Sequence, residues 1–242
     1  MFKSKFFVVL VLIVYALFVF FEFSGNEDMA SILETFIVPI ITVRYLLYVK
    51  SRERFFLLFM VLYSLSDLVR FAGHFIHFNR GSMFFQTRYY LGNILSISAY
   101  AMLLVMLLKS LSIKYVLRHC RIHLLVLSAL NVYLIYVLQA IQEPGIIYNI
   151  DYYFECLYNV MMLLLLSVSL LNYFYRDNEK SLFLFCGVLC IVFAEVILVA
   201  NIFISKSNLL SFLVTTLILG AFYFFYEQTK QSNLSREFRK KK

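Results

Sequence analysis

The sequence has no tryptophan, only two prolines and seven glycines, and Asp, Glu, Lys and Arg make up just 15% of its 242 residues. Each shortage excludes something. A soluble domain carries roughly 25% charged residues, so there is too little polar surface here to coat a water-soluble globule. Few helix breakers imply long uninterrupted helices. Disorder is excluded because 62% of the residues are hydrophobic, with 27 Phe and 18 Tyr among them, the reverse of a disordered composition. The period-2 alternation of a membrane β-barrel is missing too, since the apolar runs are apolar on every face. Cys120, Cys156, Cys186 and Cys190 form no CxxC pair and avoid the predicted outer loops; they read as small apolar fillers. No P-loop, GxSxG, HExxH or kinase signature occurs.

What is present is apolar length. Mean hydropathy is +0.83, and eight apolar stretches can be marked, at about 6–23, 30–49, 55–77, 89–108, 122–141, 152–174, 181–204 and 208–226. Each is close to the ~20 residues that cross a hydrocarbon core as a helix. The fold class predicted is all-α: a polytopic transmembrane bundle of about eight helices, with residues 1–229 as a single bundle and 230–242 as a basic cytoplasmic tail. The join at 24–29 is a short loop. Lys3 and Lys5 before the first run also resemble the start of a signal peptide, but no A-x-A-like site follows in Glu22-Phe23-Ser24-Gly25-Asn26, so the run reads as a span.

Cations test the topology, because Lys and Arg concentrate on the cytoplasmic side. With both termini cytoplasmic, the inner segments hold seventeen cations and the outer loops only Arg80, Arg88 and Lys206. The net charge of +8 is thus a topology signal, and no nucleic-acid partner is expected. The expected partners are membrane lipids, in the cytoplasmic (inner) membrane of a bacterium. Tyrosines at helix ends (Tyr45, Tyr48, Tyr89, Tyr90, Tyr152, Tyr153, Tyr223, Tyr226) suit an interfacial belt, and the tail from Arg236 suits anionic headgroups.

Ionisable residues at membrane depth are the informative ones, since each costs roughly 2.5–3.5 kcal/mol at a helix centre on insertion scales. They are Glu34, Arg44, Asp67, Arg70, His74, Glu155 and Glu195. Asp67, Arg70 and His74 fall at i, i+3 and i+7, on one helical stripe. Glu195 lies on another helix of the same direction at a matching depth. Two carboxylates at one depth are equipment for proton transfer, because both cannot easily be ionised in low dielectric. The other reading pairs Asp67 with Arg70 or Arg44 and simply locks helices together. Arg44, Arg70 and His74 suit a phosphate, Arg through its donor fork. Glu155, near an outer helix end, joins them as a candidate binding residue. Asn93, Asn159 and Asn201 are expected to hydrogen-bond between helices. His74 and His77, or His119 and His123, have ligand-like spacing, but no carboxylate accompanies His119 and His123, and neither a metal nor a cofactor is expected.

Three segments carry a resemblance. Phe36-Ile37-Val38-Pro39-Ile40-Ile41 resembles the KPxxxPLL segment of the YhhN-type lysoplasmalogenase family of eight-helix membrane proteins. Tyr63-Ser64-Leu65-Ser66-Asp67-Leu68 is similar to its FSxxGDxxL motif. Gly187 to Glu195, followed by Ala200-Asn201-Ile202-Phe203, is similar to its GAxxFxxSDxxLA motif. Four positions depart: Ser66 stands for the motif glycine, Ala194-Glu195 for Ser-Asp, and the first lysine of the KPxxxPLL segment is replaced. The resemblance implies an intramembrane hydrolase that cleaves the vinyl-ether bond of a lysoplasmalogen or related lysophospholipid, releasing an aldehyde. Asp67 and Glu195 would be its catalytic carboxyl pair, and Arg44, Arg70, His74 and Glu155 its substrate-binding residues. The competing expectation is a non-catalytic lipid-binding or proton-coupled transport protein on the same bundle, although Pro39 and Pro144 offer little of a transporter's helix interruption. An offset of 128 residues also aligns Asp67 with Glu195, Ala72 with Ala200, Phe75 with Phe203 and Ile76 with Ile204, a faint echo of a parallel repeat.

Overall fold

The structure is a computed structural model describing residues 2–49, 52–75, 83–142 and 150–240. Lys50, Ile76, His77, Arg80, Pro144, Lys241 and Lys242 lie outside the described residues, as do the side chains of Lys3, His74, Phe75 and the tail from 232. All nine described elements are helices: α1 (Phe2–Phe23), α2 (Glu27–Tyr48), α3 (Arg54–Phe75), α4 (Met83–Ser110), α5 (Ile113–His119), α6 (Arg121–Gln142), α7 (Ile150–Arg176), α8 (Glu179–Phe203) and α9 (Asn208–Lys240). Eight of them, all but α5, are long and apolar enough to cross a membrane. This is a multi-pass, all-α membrane protein. Large side chains that a soluble protein would bury face outward, including Ile122 at 78% and Leu125 and Tyr136 at 72% exposure, as lipid contact requires.

Two helices depart from the apolar pattern. The segment between α4 and α6, apolar too briefly to span, forms the seven-residue helix α5. α9 continues to Lys240, well past the apolar stretch that ends near 226. Its extension, from Glu227 through Lys230 to Arg236, is rich in good helix formers. Hydropathy measures the thickness of the hydrocarbon layer, whereas helix length is set by the backbone and its propensities.

Turns between spans are short and locally specified. At 24–29, Gly25 takes a φ of +83°, open to glycine without strain. Asn26 caps α2 by accepting from the Met29 N–H at 3.3 Å, with Glu27 and Asp28 in the first turn favouring the positive end of the helix. Between α7 and α8, Asn178 and Ser181 form a reciprocal capping box, with Ser181 N–H to Asn178 Oδ1 at 2.9 Å, satisfying donors the helix start would otherwise orphan.

Two compact units make up the chain, Met1–Met102 and Leu103–Lys242. Within the first, α2 packs on α1 and α3. The Phe36–Phe71 rings meet at 4.7 Å, and Ser64 Oγ donates to Thr42 Oγ1 at 2.6 Å. These contacts set an antiparallel register that brings Pro39 of α2 level with Asp67 of α3. Rings line the core below that level: Tyr45–Phe56 at 5.3 Å, Phe56–Phe59 at 5.8 Å and Phe59–Tyr63 at 6.0 Å.

Within the second unit, α8 and α9 share the most extensive packing. Gly187 makes it possible: a Cβ there would sit 2.5 Å from the buried Phe225 ring. Polar staples close both ends, Asn201 Nδ2 to Ser211 Oγ at 3.0 Å and Gln231 Nε2 to Glu179 Oε2 at 2.7 Å. Asn131 and Ser167 exchange hydrogen bonds between α6 and α7, with Nδ2 to Oγ at 2.9 Å. Ser110, ending α4, donates to Asn172 Oδ1 at 2.7 Å and its carbonyl accepts from Arg176 at 2.8 Å.

Candidate functional site

The candidate site is built on α3. Its residues Phe56, Met60, Tyr63 and Asp67 recur every three to four positions, so one face continues from apolar core into a carboxylate. Asp67 lies thirteen residues beyond Arg54, the start of α3, or ~20 Å along the axis at 1.5 Å per residue. It is 4% exposed. One turn further on, Arg70 forms an ion pair with the Asp67 carboxylate, its own side chain 46% exposed. The buried anion is thereby matched by a cation on the same helix, whose guanidinium is partly exposed.

Neighbouring helices fix the position of this pair. Ser66, buried beside Asp67, shares a 2.7 Å hydrogen bond with Ser96 Oγ and donates at 3.2 Å to the Gly92 carbonyl. Three oxygens thus join α3 to α4 where the motif has a glycine. On the other flank, Phe71 meets Phe36 of α2. Thr35, next to Phe36, is buried, and its hydroxyl donates to Ile32 O at 2.7 Å. Pro39 has no N–H, so the Thr35 carbonyl loses its usual helical donor. The locus therefore combines an ion pair, a hydroxyl bridge, aromatic rings and an interrupted helix inside one unit.

Other candidate residues are spread through the chain. Glu34 and Arg44 lie on α2, both half-buried, ten residues and ~15 Å apart along the axis. The backbone of His74 continues α3, while its side chain lies outside what is described. Glu155 and Glu195 belong to the second unit, on α7 and α8, each half-buried and each engaged with a neighbour. Glu195 lies sixteen residues beyond Glu179, about a turn further along its helix than Asp67 along α3. Of the sequence candidates, the structure joins Asp67 and Arg70 directly.

Of the histidines with ligand-like spacing, His119 and His123 have other contacts. His119 stacks on Tyr115 at 4.3 Å, with its Nδ1 3.3 Å from the Tyr115 carbonyl. His123 meets Phe174 edge-on at 5.2 Å. Among the described residues, no three His, Cys, Asp or Glu side chains gather as metal ligands. The four cysteines are free thiols.

Sequence reasoning passed over the Thr42–Ser64 and Ser66–Ser96 links. Their signal was small hydroxyl residues on otherwise apolar helices, where interhelical hydrogen bonding is the default role. Asn201 meets its expected role, bridging to Ser211 and accepting from the Ser207 N–H at 2.9 Å. In comparisons with known proteins, the chain matches no protein-family model, no curated protein and no solved structure.

Proposed function

We propose that this chain is a divergent YhhN-type membrane protein that takes a lysophospholipid from the bilayer, with Arg70 receiving the phosphate and Asp67 positioning Arg70. The observation that supports this is the Asp67–Arg70 pair, a buried carboxylate holding a guanidinium that remains 46% exposed. The planar guanidinium fork of Arg70 suits phosphate. The half-buried Phe36 and Phe71 supply an apolar wall of the kind an acyl chain needs. The cation distribution supports an orientation with both termini on the cytoplasmic side, and a bacterial inner membrane is the proposed setting.

Hydrolysis is the second reading, favoured by the motif-like setting of both carboxylates. In it the substrate is a lysoplasmalogen, and Asp67 and Glu195 keep the roles that the resemblance implies. Protonation of the vinyl-ether alkene gives an oxocarbenium ion, water adds to it, and the hemiacetal collapses to an aldehyde and a glycerophospho-headgroup, a logic shared with glycoside hydrolysis.

One preparation tests both readings. Full-length protein in detergent is titrated with a labelled lysophospholipid, and aldehyde release from a lysoplasmalogen is followed in parallel. Saturable binding that Arg70→Gln weakens by roughly tenfold or more, the worth of a charged hydrogen bond, supports the first reading. Absence of saturable binding by the wild type overturns it. Turnover lost in folded Asp67→Asn and Glu195→Gln variants establishes hydrolysis, and binding without turnover leaves a carrier.

A further inference from the structure

A second place for lipid chemistry lies far along the chain from Asp67. From Leu68 to Gln142 the sequence has no Asp or Glu, yet Lys109, Lys114, Arg118 and Arg121 cluster between α4 and α6. Most cations on this face of the second unit are already engaged. Arg176 donates to the Ser110 carbonyl, Lys230 pairs with Glu227, and Arg121 Nε donates to the Leu117 carbonyl at 3.0 Å. Lys109 and Lys180 also have partners. Lys114 and Arg118 differ: both are exposed, and among the described residues neither makes a hydrogen bond or ion pair. They stand at i and i+4 on α5, where like charges repel across one helical face.

The seating of α5 explains why that face cannot turn away. Val116 and Cys120 are buried with Leu171 of α7, and Leu111, Leu124 and Leu127 pack around them. The opposite side presents Lys114, Tyr115, Leu117 and Arg118, with Tyr115 at 42% and Leu117 at 57% exposure. Exposed cations interleaved with exposed apolar side chains suit a headgroup layer: the rings and methyls enter the acyl boundary while the charged tips stay among phosphates. The apolar side then continues onto α6 through Ile122 and Leu125, the most exposed large residues of that helix together with Tyr136. An acyl chain has a lane directly beneath the cations.

We infer that α5 and the first turns of α6 form a binding site for an anionic phospholipid, its phosphate between Lys114 and Arg118 and its acyl chain along Ile122 and Leu125. The lipid supplies the counter-anion that this part of the chain lacks. This site is independent of the Asp67–Arg70 locus and rests on none of its chemistry.

Because the chain has no tryptophan, Leu117→Trp places a single fluorophore beside the cations. The full-length variant is reconstituted in phosphatidylcholine bilayers containing a small fraction of phosphatidylglycerol or phosphatidylcholine with brominated acyl chains. Brominated phosphatidylglycerol is expected to quench with an association constant about fivefold or more above that of brominated phosphatidylcholine, the effect of one basic residue near an anionic surface. Adding Lys114→Gln and Arg118→Gln is expected to bring the ratio close to unity, whereas the charge-conserving Lys114→Arg and Arg118→Lys pair keeps it. Arg118→Gln alone serves if the double variant does not fold, and should lower the ratio. Equal quenching by the two lipids in the parent overturns the inference, as does a preference that survives loss of the cations. A preference abolished by inorganic phosphate at constant ionic strength assigns the site to a soluble anion and also overturns it.

Discussion

Asp67 and Arg70 illustrate how a single position acquires meaning from its environment. A carboxylate at 4% exposure is costly unless matched, and the cation three residues on supplies the match. Removing one partner strands the other. Arg70→Gln is therefore expected to destabilise the first unit more than the neutral pair Asp67→Asn with Arg70→Gln. A coupling energy of about 1–2 kcal/mol is expected from a double-mutant cycle on thermal unfolding in detergent, less than for a fully buried pair because Arg70 is 46% exposed. Additive effects would show that the pair contributes nothing to stability. Ser66 gives a milder case at the same scale. Ser66→Ala removes the bonds to Ser96 and the Gly92 carbonyl and should cost about 0.6 kcal/mol, the mean for interhelical hydrogen bonds in membranes. A neutral result in the same unfolding measurement would show that the hydroxyl bridge has no energetic role.

At the scale of elements, close approach and capping decide the outcome. The α8–α9 pair depends on the missing side chain of Gly187, since any Cβ there meets the Phe225 ring. Gly187→Ala should cost about 1–3 kcal/mol through overpacking, even though alanine is the better helix former. Phe225→Leu in the same chain should restore part of the loss. An alanine variant as stable as the wild type would show that the ring moves aside freely. Arg52 works at the end of α2, donating to the Val49 carbonyl at 2.8 Å and to that of Leu46. It places a cation on carbonyls that the helix end leaves without donors. This arginine, counted in the sequence only as a topology signal, is also a cap.

The whole molecule raises the question of sidedness. The cation count requires the α5 segment and the α8–α9 turn to face opposite sides of the membrane. Ser112→Cys and Ser207→Cys, each in a background without the four native cysteines, should label oppositely with an impermeant thiol reagent applied to intact cells, Ser207→Cys reacting and Ser112→Cys protected. Reaction from the same side would overturn the odd number of spans, α6, α7 and α8, between them. The division into Met1–Met102 and Leu103–Lys242 leaves four spanning helices chiefly in each unit. Asp67 lies on the third span of the first and Glu195 on the third span of the second, the relation that the 128-residue offset describes.

The sequence by itself determined the class, the number of spans and their approximate limits, because the cost of placing polar backbone and charge in hydrocarbon acts residue by residue along the chain. It also singled out Asp67 and Arg70, since an ionisable residue in an apolar run is conspicuous without any coordinates. It left open whether Asp67 faces an arginine or another carboxylate, because Arg70 sits at i+3 on the same helix while Glu195 lies at a similar depth on another. The structure showed Asp67 joined to Arg70 along α3, placed Ser66 against Ser96, and brought Gly187 beneath Phe225. It also turned the short segment between α4 and α6 into a helix with two cations lacking partners among the described residues. These results depend on which helix faces are pressed together, and hydropathy carries no information about direction around a helix that is apolar on every side.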